Sequence, residues 1–195
     1  MEFNSSIYWE NRYAKGGNSG SGSRGNLAVF KAKIINDFIS EKNIKSIVDL
    51  GCGDGHMLMM YDSSPKYIGQ DISITIIDNM KKIFYDEFYV YPYPIKAELG
   101  LSIDVLFHIT NYDEFIEYIK NLFNWSEKYV IIYAFDEDRS EFQSHYKPRK
   151  FTTVIEELCP DWELKNIIKN EYPVSEFGLA IGSYSDFYIY EKTIG

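Results

Sequence analysis

The chain has 195 residues, a formal net charge of −9 and 45% hydrophobic residues, enough apolar content to bury one sizeable α/β core. The acidic balance argues against a nucleic-acid partner, because phosphate binding relies on Lys and Arg. No apolar run is long enough to cross a bilayer. The start, Met-Glu-Phe-Asn-Ser-Ser, lacks the basic and apolar regions of a signal peptide, and the two cysteines, Cys52 and Cys159, make no disulfide framework, so a cytoplasmic setting is expected.

The first aromatic group, Tyr8-Trp9 and Arg12-Tyr13, precedes a glycine- and serine-rich stretch at 14–26. That stretch reads as a lid over a ligand, with a linker or an N-terminal helix packed on the sheet as the alternatives. Leu27, Phe30, Ile34, Ile35 and Phe38 recur at helical spacing and predict an amphipathic helix over 27–40. Strands are expected at Ser46–Leu50, Lys66–Asp71, Phe88–Tyr91, Leu99–Leu106 and Lys128–Tyr133. Helices are expected from His56 to Tyr61, from an N-cap at Ser73 to about Phe84, over Asp113–Phe123 and over 151–158. A polar stretch spans 136–150. Trp162–Ile168 and Asp186–Glu191 read as two final strands with no helix between them, hence an antiparallel edge hairpin. Alternating strands and helices predict an α/β fold, one domain spanning 1–195, with a mostly parallel sheet and helices on both faces.

The segment Val48-Asp49-Leu50-Gly51-Cys52-Gly53-Asp54-Gly55 is the most informative. A strand entering closely spaced glycines lets backbone approach a ligand without Cβ interference. Dinucleotide sites space their glycines differently and place a pyrophosphate on the turn. Here Asp49 and Asp54 flank the turn, a pattern that repels pyrophosphate and attracts a cation. Asp71, ending the next strand, suits a pair of ribose hydroxyls; capping the following helix is its other use.

These residues resemble the class I, Rossmann-like methyltransferases. Asp49, Gly51, Gly53, Gly55 and Asp71 match that family's signature in order and spacing, and Ser102 to His108 is similar to its S-x-D-V-L-x-H segment. The resemblance covers nearly the whole chain and implies a seven-stranded sheet, with 1–26 as lid or cap and 27–195 as core. It implies S-adenosylmethionine as cofactor, leaving S-adenosylhomocysteine, held by Asp49, Gly51, Cys52, Gly53, Gly55, Asp71, Ile72, Ser102 and Ile103. Trp9, Arg12 and Tyr13 would close over its methionine end. A narrower subgroup associated with surface-polysaccharide and phage loci is similar over Tyr8–Ser23 and over His145–Phe151. One departure stands out: Tyr91-Pro92-Tyr93-Pro94 occupies the place where the family often has an acidic residue for the adenine amino group.

His108, leaving the fourth strand, suits a general base titrating near neutrality, and His145 is the second candidate. A backbone-bonded histidine is the plainer reading of His108, and His56 reads as packing or as a cofactor contact. Asp104 and Tyr13 are candidates to face the acceptor. Lys147 and Arg149 are candidates to clamp an acceptor phosphate or carboxylate, or else belong to a solvated helix start with Lys150. No spacing demands a metal. The fourth strand lacks the D/N-P-P-Y/F motif of amino-directed DNA methylation, and Cys159-Pro160 reverses the order that cytosine C5 chemistry uses. The expected acceptor is a small molecule or glycan offering a hydroxyl or phosphoryl-type oxygen, with O-methylation in polysaccharide synthesis as the specific expectation. A protein or nitrogen acceptor, and a non-catalytic cofactor-binding partner, are the alternatives.

Overall fold

The computed structural model describes residues 3–139 and 145–193. Seven strands form one sheet: β1 (Ser46–Leu50), β2 (Lys66–Asp71), β3 (Glu87–Val90), β4 (Ala97–Ile103), β5 (Ser126–Ala134), β6 (Trp162–Ile168) and β7 (Asp186–Lys192). Their order is β3-β2-β1-β4-β5-β7-β6. The first five run parallel, and β7 pairs antiparallel with both β5 and β6. The mostly parallel seven-stranded α/β sheet with its antiparallel end is therefore the predicted fold.

Alternation along the strands sorts the helices. Ile47, Tyr67, Leu99, Leu101, Ile131 and Tyr133 pack with α1 (Ser5–Ala14), α2 (Gly25–Lys42) and α3 (Ile74–Ile83). Val48, Leu50, Ile68, Val130 and Ile132 pack with α4 (Tyr112–Trp125) and α5 (Phe151–Leu158). Successive strand side chains point to opposite faces, so each strand contributes to both clusters and both faces are covered. Ser73 caps α3 by accepting from the Ile76 amide, and Asn111 caps α4 through the Asp113 and Glu114 amides.

Four local expectations are corrected. Ser5–Ala14 is a helix, capped by the Asn4 side chain on the Ile7 amide, the structure that the sequence offered only as the alternative to aromatic anchors beside a lid. Residues 56–61 do not form an α-helix; only a 3-10 turn at Leu58–Met60 forms. Six residues between Gly55 and the turn at Asp62 leave little to offset helix nucleation, and Asn36 of α2 takes the Met60 carbonyl and the Asp62 amide instead. The fourth strand stops at Ile103 because Asp104 adopts a left-handed conformation, φ 61°. Finally, a single helical turn, α6 (Val174–Phe177), does lie between the last two strands. Among the described residues no helix is long and apolar enough to cross a membrane.

β1 connects outward to β2, whereas its other neighbour β4 connects outward to β5. This reversal opens a crevice at the carboxyl ends of β1 and β4, where open α/β sheets bind ligands.

Candidate active site

The crevice holds a cavity of about 290 Å³ whose floor is made by the strand ends: Asp49 and Gly51 of β1 and its turn, Asp71 of β2, Ile103 and Asp104 of β4. The glycine turn is fixed by backbone bonds, since the Gly51 and Cys52 amides both donate to the Gln70 carbonyl, at 2.7 and 2.9 Å. Gly53 has φ 56°, and a Cβ there would collide with Ser19 Oγ. The turn is thus covered directly by the glycine-rich segment that follows α1.

Asp49 is buried. Tyr67 donates to its Oδ2 at 2.7 Å, while its Oδ1 is buried with no partner among the described residues. Burial pushes this carboxyl up to about 7, against the lowering effect of the Tyr67 hydrogen bond. An unpartnered buried oxygen on a cavity wall is costly unless a ligand supplies the donor. Asp71 accepts from the Gly53 amide and the Ser73 amide, each at 3.0 Å, and burial raises it to about 6.

Asp54 behaves differently from the sequence expectation that it would attract a cationic ligand. Arg24 pairs with it at 2.6 Å and the Ser19 amide donates to it at 2.9 Å. Its charge is already matched from the covering segment.

The cavity is also lined by Ile72, Tyr91, Pro92, Val105, Glu114 and Glu117. Sequence reading missed the two glutamates. Their spacing of three on α4 places them on one face, and both lie close enough to Tyr91 to add to the rise of its hydroxyl to about 12, which burial dominates. Tyr93 does not line the cavity: its ring stacks on Tyr89 at 3.9 Å, and its amide and carbonyl are both held by the Gln70 side chain.

A second, wider cavity of about 860 Å³ adjoins the first, with Trp9, Ser19, Asp104 and His108 lining both. Its aromatic wall is continuous: Tyr8 stacks on His145 at 5.2 Å, His108 lies parallel to His145 at 6.1 Å, and Trp9 meets His108 edge-on at 5.0 Å. Arg12 also lines it, with its guanidinium 5.6 Å from the Trp9 ring centre.

His108 Nδ1 lies 3.1 Å from the His145 carbonyl, and a carbonyl only accepts. Nδ1 therefore carries the proton and Nε2 the lone pair. Burial pulls this histidine down to about 4, so the near-neutral titration expected from the sequence is corrected; the ring is neutral across the physiological range.

Asp49, Cys52, Gly51, Gly53, Asp71, Ile72, Ile103, Trp9 and Tyr13 line the first cavity, and Arg12 and His145 line the second. Four of the expected site residues line neither. Ser102 is fully buried and shares the Tyr118 hydroxyl with the Leu50 carbonyl, tying α4 to two strand ends. Gly55 packs against Met80 and Phe84. Arg149 donates to the carbonyls of Ile109 and Thr110, both at 2.6 Å, with its guanidinium over the Phe115 ring. Lys147 is anchored by its amide to the Phe107 carbonyl, and the expected basic clamp is not assembled.

Lys31 was also missed. It is fully buried and pairs with Asp104 at 2.5 Å, its ammonium 5.1 Å from the Tyr133 ring centre. The signal was present: position 31 falls between Leu27 and Ile35 on the apolar stripe of α2, where a lysine needs a partner.

No family model matches the sequence, and no curated protein does. Solved structures resemble it throughout. The magnesium protoporphyrin IX methyltransferase of Synechocystis, with bound SAH, is 12% identical at a TM-score of 0.68, covering 96% of this chain and 97% of that one. The N-methyltransferase NodS of Bradyrhizobium japonicum, also with SAH, is 11% identical at a TM-score of 0.69, covering 97% and 99%. The methyltransferase domain of bacterial CtHen1 is 18% identical at a TM-score of 0.63, covering 85% and 100%. The chain has the Rossmann-like fold of the class I methyltransferases.

Proposed function

We propose that the chain is an S-adenosylmethionine-dependent methyltransferase acting on a hydroxyl-bearing small molecule or glycan. The observation that carries this reading is Asp49: a buried carboxyl with an unpartnered oxygen on the wall of a cavity that has no Lys or Arg among its described lining residues to meet a pyrophosphate. The α-ammonium of the donor would satisfy Oδ1, and Asp71 would take the ribose hydroxyls. Ile72, Pro92 and Val105 offer an apolar berth for adenine, with Glu114 and Glu117 able to accept from its amino group.

The donor supplies an activated methyl on a sulfonium, so the protein's work is to position two reactants and accept a proton. Trp9 and Ser19 line the junction of the two cavities and Tyr13 the first, and residues 3–26 would act as a cap that limits water there. The acceptor would occupy the second cavity, among Tyr8, His145 and Arg12, and reach the methyl past Asp104 and His108. Neighbours of this fold include a porphyrin methyltransferase and the N-methyltransferase NodS; aromatic walls and a neutral histidine at the junction favour an oxygen acceptor here.

Calorimetric titration with S-adenosylhomocysteine, with NAD in a parallel cell, tests the donor assignment. Binding of S-adenosylhomocysteine and not of NAD is expected. Binding of NAD, or of neither, would overturn it.

A further inference from the structure

Building on that donor reading, we propose that the acceptor presents two adjacent hydroxyls at the cavity junction: one is methylated against His108, and its neighbour is held by Asp104, which Lys31 fixes in place. The junction offers two groups that accept hydrogen bonds. His108 donates through Nδ1 to the His145 carbonyl, leaving Nε2 as a lone pair. Asp104 is a carboxylate whose Oδ2 is bound by Lys31, leaving Oδ1 without a partner among the described residues. A ligand with a single hydroxyl would engage one of these and leave the other to solvent, since Asp104 keeps 18% of its side chain exposed, whereas a diol engages both.

Two donors could also come from an ammonium, and Lys31 decides against it. Its buried ammonium already neutralises Asp104, so the pair accepts a hydrogen bond without attracting a cation. The pairing is held from several directions. Asp104 adopts φ 61°, its amide donates to the Tyr133 carbonyl at 2.9 Å, and Tyr133 also carries Lys31 over its ring. Gly22 of the covering segment lies against Asp104 Oδ2, with room for no larger residue without a shift. Tyr8, Trp9 and His145 line the second cavity and give an apolar, aromatic surface for the carbon skeleton that bears such a diol.

In the transfer step the acceptor oxygen bonds the methyl carbon as the carbon–sulfur bond breaks. The bonding pair stays on sulfur, which becomes a neutral thioether, and the hydroxyl proton passes to His108 Nε2 and then to solvent. Lys31 is a positioning residue: it touches Asp104 and not the acceptor.

The test uses the full chain saturated with S-adenosylhomocysteine. Catechol and methyl α-D-mannopyranoside serve as diol probes, phenol and cyclohexanol as mono-ols, with affinities read by NMR titration and calorimetry. Diols should bind about tenfold more tightly than mono-ols, the worth of one hydrogen bond to a charged group. Removing one charge alone strands the other, and Asn would keep an accepting oxygen, so the informative variant is the double Lys31→Met, Asp104→Gly, in which glycine fits φ 61° and carries no acceptor. It should lose the diol preference, with diols falling to the affinity of the mono-ols; a merely structural pair would weaken both probe types together. Equal binding of diols and mono-ols, a preference that survives in the double variant, or no probe bound by protein that does bind S-adenosylhomocysteine would each overturn the diol assignment. Failure to bind S-adenosylhomocysteine at all would instead remove the donor reading beneath it.

Discussion

Ser19 and Asp54 hold one another: the Ser19 amide donates to the Asp54 carboxylate at 2.9 Å, and the Asp54 amide donates to the Ser19 hydroxyl at 3.0 Å. Arg24 adds an ion pair to the same carboxylate, and the Tyr13 hydroxyl lies 3.1 Å from Ser19 Oγ. The glycine turn and the segment covering it are therefore one hydrogen-bonded unit.

Gly53→Ala should disrupt this unit. The new Cβ meets Ser19 Oγ and the Tyr13 hydroxyl, and φ 56° strains any residue with a side chain, a cost of about 1–3 kcal/mol. Urea unfolding should show that loss, and limited proteolysis should cleave within 14–26 faster than in the parent. Unchanged cleavage would mean the covering segment does not depend on this contact.

Stability and ligand affinity should respond to pH in opposite senses. Asp49 and Asp71 titrate at about 7 and about 6 when folded, above the usual carboxyl value, because burial disfavours their charge. The folded chain thus holds protons that the unfolded chain releases, and the free protein should lose melting temperature as pH rises through this window. A ligand ammonium favours the ionised Asp49, so S-adenosylhomocysteine binding should release a proton and weaken by up to about tenfold per pH unit below about pH 7. Titrations in buffers of different ionisation enthalpy read that proton directly; no buffer dependence at pH 6 would count against Asp49 as the ammonium site.

His108→Gln should reduce methyl transfer by about 10²–10⁴-fold, the usual worth of a general base, and leave S-adenosylhomocysteine affinity intact. Because burial holds this histidine at about 4, the parent's kcat should show no histidine limb between about pH 6 and about pH 8. A limb near 6.5 that disappears in the variant would contradict the buried, neutral ring.

Arg149→Ala should act on stability. Its guanidinium holds two carbonyls of the turn before α4, and hydrogen bonds to a charged group contribute about 1.5–3 kcal/mol. At about 2–4 °C per kcal/mol for a chain this size, differential scanning calorimetry should register several degrees. An unchanged melting temperature with weakened acceptor binding would restore the clamp.

The parts legible in the sequence were those in which chemistry and local geometry coincide. Asp49, Gly51, Gly53 and Asp71 form a strand-turn-strand unit whose residue types follow from the backbone they must adopt, and the period-two strands of the sheet carry their own signal. What escaped depended on distant partners. The helix at Ser5–Ala14 was legible only as an alternative, because its sequence is polar and aromatic and its tertiary ties are to His108 through Ser5 and to Ser73 and Thr75 through Glu10. Arg149 looked like a surface cation because its carbonyl partners, Ile109 and Thr110, lie about forty positions upstream. Asp54 looked free for the same reason, since Arg24 reaches it from a segment of no regular pattern. Lys31 alone was a local anomaly that could have been read, a charge on an apolar helix stripe.

The most direct test compares S-adenosylhomocysteine with 5′-methylthioadenosine, which lacks the amino-acid portion, on the parent and on Asp49→Asn. If Asp49 Oδ1 receives the ammonium, the parent should prefer S-adenosylhomocysteine strongly, and the variant should lose most of that preference while binding methylthioadenosine as well as the parent does. If the parent binds the two equally, or the variant keeps the preference, Asp49 is not the ammonium site and the donor assignment loses the observation that carries it.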